Sequence, residues 1–169
     1  LLVYFLNFKA INKKNSKNLK KIIFGGEGFP KSKLKNLYSS VKKKTELINV
    51  YGPTECTCIC SSYKITKYDF KKSEINKYAP FGKKLARNFY MLILNEKNKK
   101  VKNEEIGELV IGGKNVGAGY YNLPFETKKF FVKNPITKKN NDIVYKTGDL
   151  VYQDRLKNIY FSSRKDNQI

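Results

Sequence analysis

Asn49-Val50-Tyr51-Gly52-Pro53-Thr54-Glu55 puts an aromatic ring, a hydroxyl and a carboxylate on one tight turn at the end of an apolar run. An aromatic face can stack a purine. Backbone N–H groups of the turn, with Thr54, can hold phosphate oxygens, and Glu55 can ligate Mg²⁺ through oxygen. The competing interpretation is an ordinary strand-to-helix turn with Glu55 capping the first helical residues. Cys56, Cys58 and Cys60 follow directly and, on a strand, would share one face. A metal site there lacks a fourth ligand and the usual Cys-x-x-Cys spacing, so three small hydrophobes on a core strand are the expectation. The chain has no histidine, which removes every mechanism built on an imidazole base.

Secondary structure must position these groups. Lys20 to Phe24 is a short apolar run stopping at Gly25-Gly26, the pattern of a strand entering a tight turn. Pro30 opens a segment with Leu34, Leu37, Tyr38 and Val41 at helical spacing. Glu46 to Val50 is a second strand, and strand–helix–strand order implies a parallel pair in an α/β layer. Cys56 to Ile65 is expected to be a further strand. Beyond it the pattern becomes β-rich: strands at 89–94, 107–111, 143–145, 150–152 and 159–161, with helical turns near 127–131 and a solvated loop tip at 138–141. Gly107 to Gly119 has the composition of a β-hairpin with close backbone packing rather than of a phosphate cradle. The expected division is an α/β portion over 1–80 and a β-rich portion over 81–169, both belonging to one incomplete domain of mixed α/β class.

The formal charge of +21 raises a second function class, a basic nucleic-acid-binding module. Only Arg87, Arg155 and Arg164 are arginines, however, and the lysines are spread among asparagines and isoleucines. Bidentate grip on phosphates favours arginine, and no RNA-recognition signature is present. The opening Leu1-Leu2-Val3-Tyr4-Phe5-Leu6 is too short to span a membrane and lacks the flanks of a signal peptide, so it is expected to be the buried end of a longer element. An odd cysteine count without a secretion signal suggests a reducing, cytoplasmic compartment.

The turn at 49–55 resembles the nucleotide-binding motif of the adenylate-forming (AMP-binding) superfamily, which includes acyl-CoA synthetases, peptide-synthetase adenylation domains and D-alanine–carrier protein ligases. Four further segments in the same order carry the resemblance: Phe24-Gly25-Gly26-Glu27-Gly28-Phe29-Pro30, Gly107-Glu108-Leu109-Val110-Ile111-Gly112-Gly113 with Gly117-Ala118-Gly119-Tyr120-Tyr121, Tyr145-Lys146-Thr147-Gly148-Asp149-Leu150, and Arg164-Lys165-Asp166-Asn167-Gln168-Ile169. The similarity is greatest to the amino-acid-adenylating members, and the stretch corresponds to part of the large N-terminal domain.

What the resemblance implies can be stated residue by residue. Tyr51 would stack on adenine, Thr54 would contact the α-phosphate, and Glu55 would ligate Mg²⁺. Asp149 would accept hydrogen bonds from the ribose hydroxyls, Arg164 would reach ribose or phosphate, and Asp166 would sit at the hinge of a mobile lid. Gly26, Glu27, Asn49 and Gly52 complete the ATP-binding set, and Ile23, Gly25, Val50 and Cys58 match the lining of the acyl pocket. One departure stands out: Ser163 occupies the position before the arginine where glycine is usual, which requires a negative φ there. The implied reaction joins a carboxylic acid, here an amino acid, to ATP as an acyl-adenylate with release of pyrophosphate. The acyl group then passes to a thiol of CoA or of a carrier protein's phosphopantetheine. The family's pyrophosphate loop and lid lysine have no counterpart in these 169 residues, so a fragment inactive on its own is expected.

Overall fold

Two parallel strands need a crossover between them, and the segment from Pro30 onward supplies one. The computed structural model describes residues 2–71, 77–137 and 141–165. Helix α1 (Leu2–Asn7) comes first, then strand β1 (Lys21–Gly25), helix α2 (Lys31–Ser40) and strand β2 (Glu46–Tyr51). β1 and β2 pair in parallel, Gly25 opposite Val50. α2 covers one face of the pair, burying Leu34 and Leu37 completely, with Val41 beside them. Leu47 meets them from β2, and Ile22 and Phe24 from β1, in one apolar cluster. Alternation along the strands leaves Ile23 and Gly25 on the opposite, exposed face.

A 3₁₀ turn (Thr54–Cys56) leads to strand β3 (Ser61–Lys64), a second 3₁₀ turn (Lys67–Phe70) and the short strand β4 (Lys83–Lys84). β3 runs antiparallel to β2, so the first sheet has the order β1-β2-β3-β4 and extends to residue 84. The expected strand over 56–65 is therefore confined to its last part. Thr57 and Cys58 take left-handed φ values of 59° and 75°, which no strand accommodates. Cys56 and Cys60 are buried while Cys58 is exposed, so the three thiols do not share a strand face.

Strands β5 (Phe89–Leu94) and β6 (Gly107–Gly113), helix α3 (Pro124–Phe130) and strands β7 (Phe131–Lys133), β8 (Ile143–Gln153) and β9 (Ile159–Arg164) complete the chain. The second sheet has the order β5-β6-β8-β7, with β9 also on β8. The two short strands expected at 143–145 and 150–152 are one strand of 11 residues, β8, which passes through Gly148 at φ 73° and carries a register shift after Leu150. α1 corrects the expectation for the opening segment: none of its residues is buried, and only Leu2, Val3 and Leu6 rest against the first cluster. Of the loop tip expected at 138–141, residues 138–140 lie outside the described residues, and Asn141 is exposed.

A second apolar cluster joins the sheets. Cys56 and Cys60, on the connection between β2 and β3, pack with Leu109, Ile111, Tyr145, Val151 and Ile159 of the second sheet. Backbone bonds reinforce the seam: Phe81 N donates to Ile159 O at 2.8 Å and Ile159 N to Gly82 O at 3.0 Å. Among the described residues no helix is long and apolar enough to cross a membrane.

Candidate functional site

The C-terminal end of β2 meets this seam, and ligands in open α/β sheets settle at the C-terminal ends of strands. Tyr51 is the last residue of β2, and its ring lies flat on Phe81, with centroids 3.9 Å apart and planes 10° from parallel. Asn49 keeps Phe81 there: its side-chain amide donates to Pro80 O at 2.8 Å. Ser61 Oγ donates to Phe81 O at 2.8 Å. One face of Tyr51 is thus covered by Phe81.

The Tyr51 hydroxyl donates to Asp149 Oδ2 at 2.5 Å, across the two sheets. Arg164 Nη1 donates to Asp149 Oδ1 at 2.9 Å and to Thr147 O at 3.1 Å. Thr147 Oγ1 accepts from Asp149 N at 3.0 Å and donates to Leu109 O at 2.8 Å, so the turn at Gly148 is tied to β6. Burial, followed by the charge of Asp149, raises the Tyr51 phenol well above the usual tyrosine range, so it remains a proton donor. Arg164 reaches Asp149 because β9 pairs with β8 in that register. Ser163 is absent from the left-handed residues, so serine meets the condition its position imposes.

Glu55 lies on the 3₁₀ turn just beyond Pro53 and is half-buried, whereas Thr54 is exposed. Gly52 makes that turn close: a Cβ on it would sit 1.9 Å from Cys58 O. Tyr120 donates to Glu55 Oε1 at 2.6 Å, and Gly117 N donates to Glu55 O at 2.8 Å. Tyr120 Oη and Tyr145 Oη are 3.4 Å apart. Burial first, then the bond to Glu55, raises the Tyr120 phenol. Burial likewise raises Tyr145. Among the described residues no group of three or more His, Cys, Asp or Glu side chains is arranged to hold a metal ion. Any cation at Glu55 would draw its remaining ligands from water or a bound phosphate.

Tyr51, Asp149 and Arg164 therefore meet directly, and Glu55 is linked to β8 through Tyr120 and Tyr145. Gly26, with φ 97° and open space about its Cα, and Glu27 are exposed on the turn leaving β1. Gly25 opposes Val50, so that turn emerges beside Tyr51. Ile23, Gly25 and Val50 share one sheet face, and Cys58 sits off the sheet on the left-handed loop. Asp166 lies outside the described residues. Phe81 carries no signal in the sequence, because a ring 30 residues along announces nothing about stacking on Tyr51. Tyr120 belongs to the Gly117–Tyr121 segment, yet only the fold reveals its bond to Glu55.

The family model "AMP-binding enzyme" matches residues 1–121. Surfactin synthase subunit 1 of Bacillus subtilis is 34% identical over 154 residues, 89% of this chain and 4% of that protein. Nonribosomal peptide synthetase TES of Alternaria alternata is 32% identical over 161 residues, 89% of this chain and 3% of that protein. Among solved structures, a holo NRPS protein containing adenylation and PCP domains, bound to a vinylsulfonamide inhibitor, superposes with TM-score 0.84 at 25% identity, covering 99% of this chain and 28% of that one. The N-terminal subdomain of Klebsiella oxytoca NpsA, in complex with 3-hydroxyanthranilyl-AMSN, gives TM-score 0.73 at 26% identity over 86% of this chain and 36% of that one. The chain thus spans a minor part of each of these proteins.

Proposed function

Since this chain belongs to the AMP-binding enzyme family, we propose that it forms the nucleotide-holding wall of a ligase that activates a carboxylic acid as its acyl-adenylate. The observation that carries this is the Tyr51–Asp149–Arg164 cluster, in which an aromatic, a carboxylate and a guanidinium from two sheets share hydrogen bonds. Each Asp149 oxygen takes one protein bond, and a carboxylate has about four lone-pair positions, so capacity remains for both hydroxyls of a ribose. The ring of Tyr51, on the side away from Phe81, would take the adenine. Thr54, exposed on the turn, donates to an α-phosphate oxygen, and Arg164 stays close to ribose or phosphate. Asn49 acts through Pro80 and Phe81, and the exposed Gly26-Glu27 turn borders the base.

A single carboxylate beside nucleotide phosphates is the donor set Mg²⁺ takes, since that ion keeps several waters and shares phosphate ligands. Glu55 fits this role, and the ion would supply charge neutralisation on the phosphates. The protein's part in catalysis is positioning, which needs no histidine and no protein nucleophile.

The substrate we propose is an amino acid, supported by the peptide-synthetase names of the relatives. Its side chain would lie along the small and aliphatic face of Ile23, Gly25 and Val50, with Cys58 at the margin. The acceptor we propose is a carrier-protein phosphopantetheine rather than CoA, supported by the neighbour that contains adenylation and PCP domains. Turnover would require the further length such proteins have, with Asp166 at the hinge. The compartment we propose is a reducing, cytoplasmic one, in which Cys56, Cys58 and Cys60 would stay thiols.

Titration of ATP into this chain tests the proposal through binding. The parent is expected to bind ATP, and Asp149→Ala to lose at least about tenfold in affinity, the scale of a charged hydrogen-bonding group. Absence of ATP binding, or equal binding by Asp149→Ala, would refute it.

A further inference from the structure

Glu55 is held by a loop far away in the sequence, and the hold is specific. Gly117 N bonds its carbonyl and Tyr120 its carboxylate, so the stretch from 117 to 120 folds back over the 3₁₀ turn. Tyr120 is itself fixed. Its backbone N–H donates to Thr127 Oγ1 at 2.9 Å, and its ring meets Phe131 edge-on at 5.4 Å and Phe130 at 6.3 Å. Its single hydroxyl proton goes to Glu55 Oε1, so the contact at 3.4 Å with Tyr145 has Tyr145 as donor. The chain of donation runs Tyr145 to Tyr120 to Glu55. Tyr145 lies on β8, four residues before Asp149, on the same strand that faces Tyr51.

Resting on the assignment of Glu55 to a divalent cation, we propose that Tyr120 is a positioning residue that presents the Glu55 carboxylate to that cation, steadied by Tyr145. A hydrogen bond at Oε1 fixes the torsion of a side chain that would otherwise sample several rotamers, and it leaves Oε2 to face the ion. The arrangement also makes the cation ligand and the Asp149 carboxylate parts of one framework, because both are referred to β8.

The test is calorimetric titration of ATP into the full chain over a range of Mg²⁺ concentrations, including none with a chelator present. Parent, Glu55→Gln, Tyr120→Phe and Tyr121→Phe are compared. Tyr120→Phe keeps the ring and its packing while deleting the hydroxyl. It is expected to raise the Mg²⁺ concentration at half-effect about 10-fold, the usual cost of removing a group that orients a metal ligand. Metal-free ATP affinity and the circular-dichroism spectrum should stay at parent values, which separates positioning from a general structural role. Tyr121, 91% exposed, is the control and should behave as the parent. A parent-like Mg²⁺ dependence in Tyr120→Phe overturns the inference while leaving the nucleotide site intact. A parent that binds ATP without any Mg²⁺ response, or a Glu55→Gln variant that keeps the response, overturns the assignment of Glu55 and the inference with it. Should Tyr120→Phe fail to fold, Tyr145→Phe decides: a smaller upward shift supports the relay, and none overturns it.

Discussion

Tyr90 donates its hydroxyl to Asp142 and accepts from Asn134 Nδ2 at 2.9 Å, while Asn134 also donates to Asp142 Oδ2 at 2.9 Å. Burial first, then the bond to Asp142, pushes this phenol up to about 12. An unfolded tyrosine titrates near 10. The folded state therefore holds the proton more tightly, so this stabilisation is complete below about pH 10 and is lost as pH rises towards 12. Tyr90→Phe is expected to be less stable than the parent by about 0.5–1.5 kcal/mol at pH 8, the net worth of one hydrogen bond. At pH 11 the gap should narrow, because the parent alone has by then lost part of the contribution. Urea unfolding midpoints at the two pH values check this, and a gap of constant size contradicts it. At the same scale, Tyr51, Thr54, Glu55, Asp149 and Arg164 were legible as candidates because each sits in a short motif with its own chemistry. Phe81 and the hydroxyl of Tyr120 were not. Their importance comes from what they touch, 30 and 65 residues away, and local sequence has no term for that.

Elements were legible where periodicity was unmixed. β5 has the expected limits, and α2 buries Leu34 and Leu37 on one face with Val41 just past its end, since apolar spacing states both period and face. The stretch after Glu55 misled because Cys56, Cys58 and Cys60 alternate as a strand's residues do. Left-handed Thr57 and Cys58 bear no glycine to announce a turn. β8 looked like two strands because Gly148 suggests a break, yet its positive φ is absorbed within one continuous strand. Gly52 is the position on which the site's main turn depends. An added Cβ would meet Cys58 O at 1.9 Å, Cys58 C at 2.6 Å and Cys60 N at 2.8 Å, all of them backbone. Backbone cannot rotate aside as a side chain can, and Cys60 N is already bonded to Tyr51 O at 2.8 Å. Gly52→Ala should cost at least about 1–3 kcal/mol, the range for forcing atoms into filled space. In a domain of this size that lowers the melting temperature by about 2–4 °C per kcal/mol. ATP affinity should fall with it, because Tyr51 and Glu55 flank the distorted turn. A variant that melts with the parent would show that the turn has room to relax.

Across the whole molecule, the charge of +21 and the paired site make opposite demands on ionic strength. Exposed lysines attract any polyanion through counterion release, and that attraction has a steep salt slope: several phosphate contacts lose about 10³–10⁵ in affinity between 50 and 200 mM salt. The Asp149–Arg164 pair sits at the joint between two sheets with its side chains 10% and 28% exposed, where screening is much weaker. ATP carries few charges and, on the proposed arrangement, is held by stacking and by bonds to ribose as well as by its phosphates. Raising salt from 50 to 200 mM should therefore remove binding to a random single-stranded RNA while ATP affinity drops less than about tenfold. Asp149→Ala should weaken ATP binding at least about tenfold and leave RNA binding unchanged, since Asp149 is buried and contributes nothing to a lysine-covered surface. RNA binding that survives 200 mM salt would instead mark a built nucleic-acid interface, and the lysines would then be the functional residues of this fold.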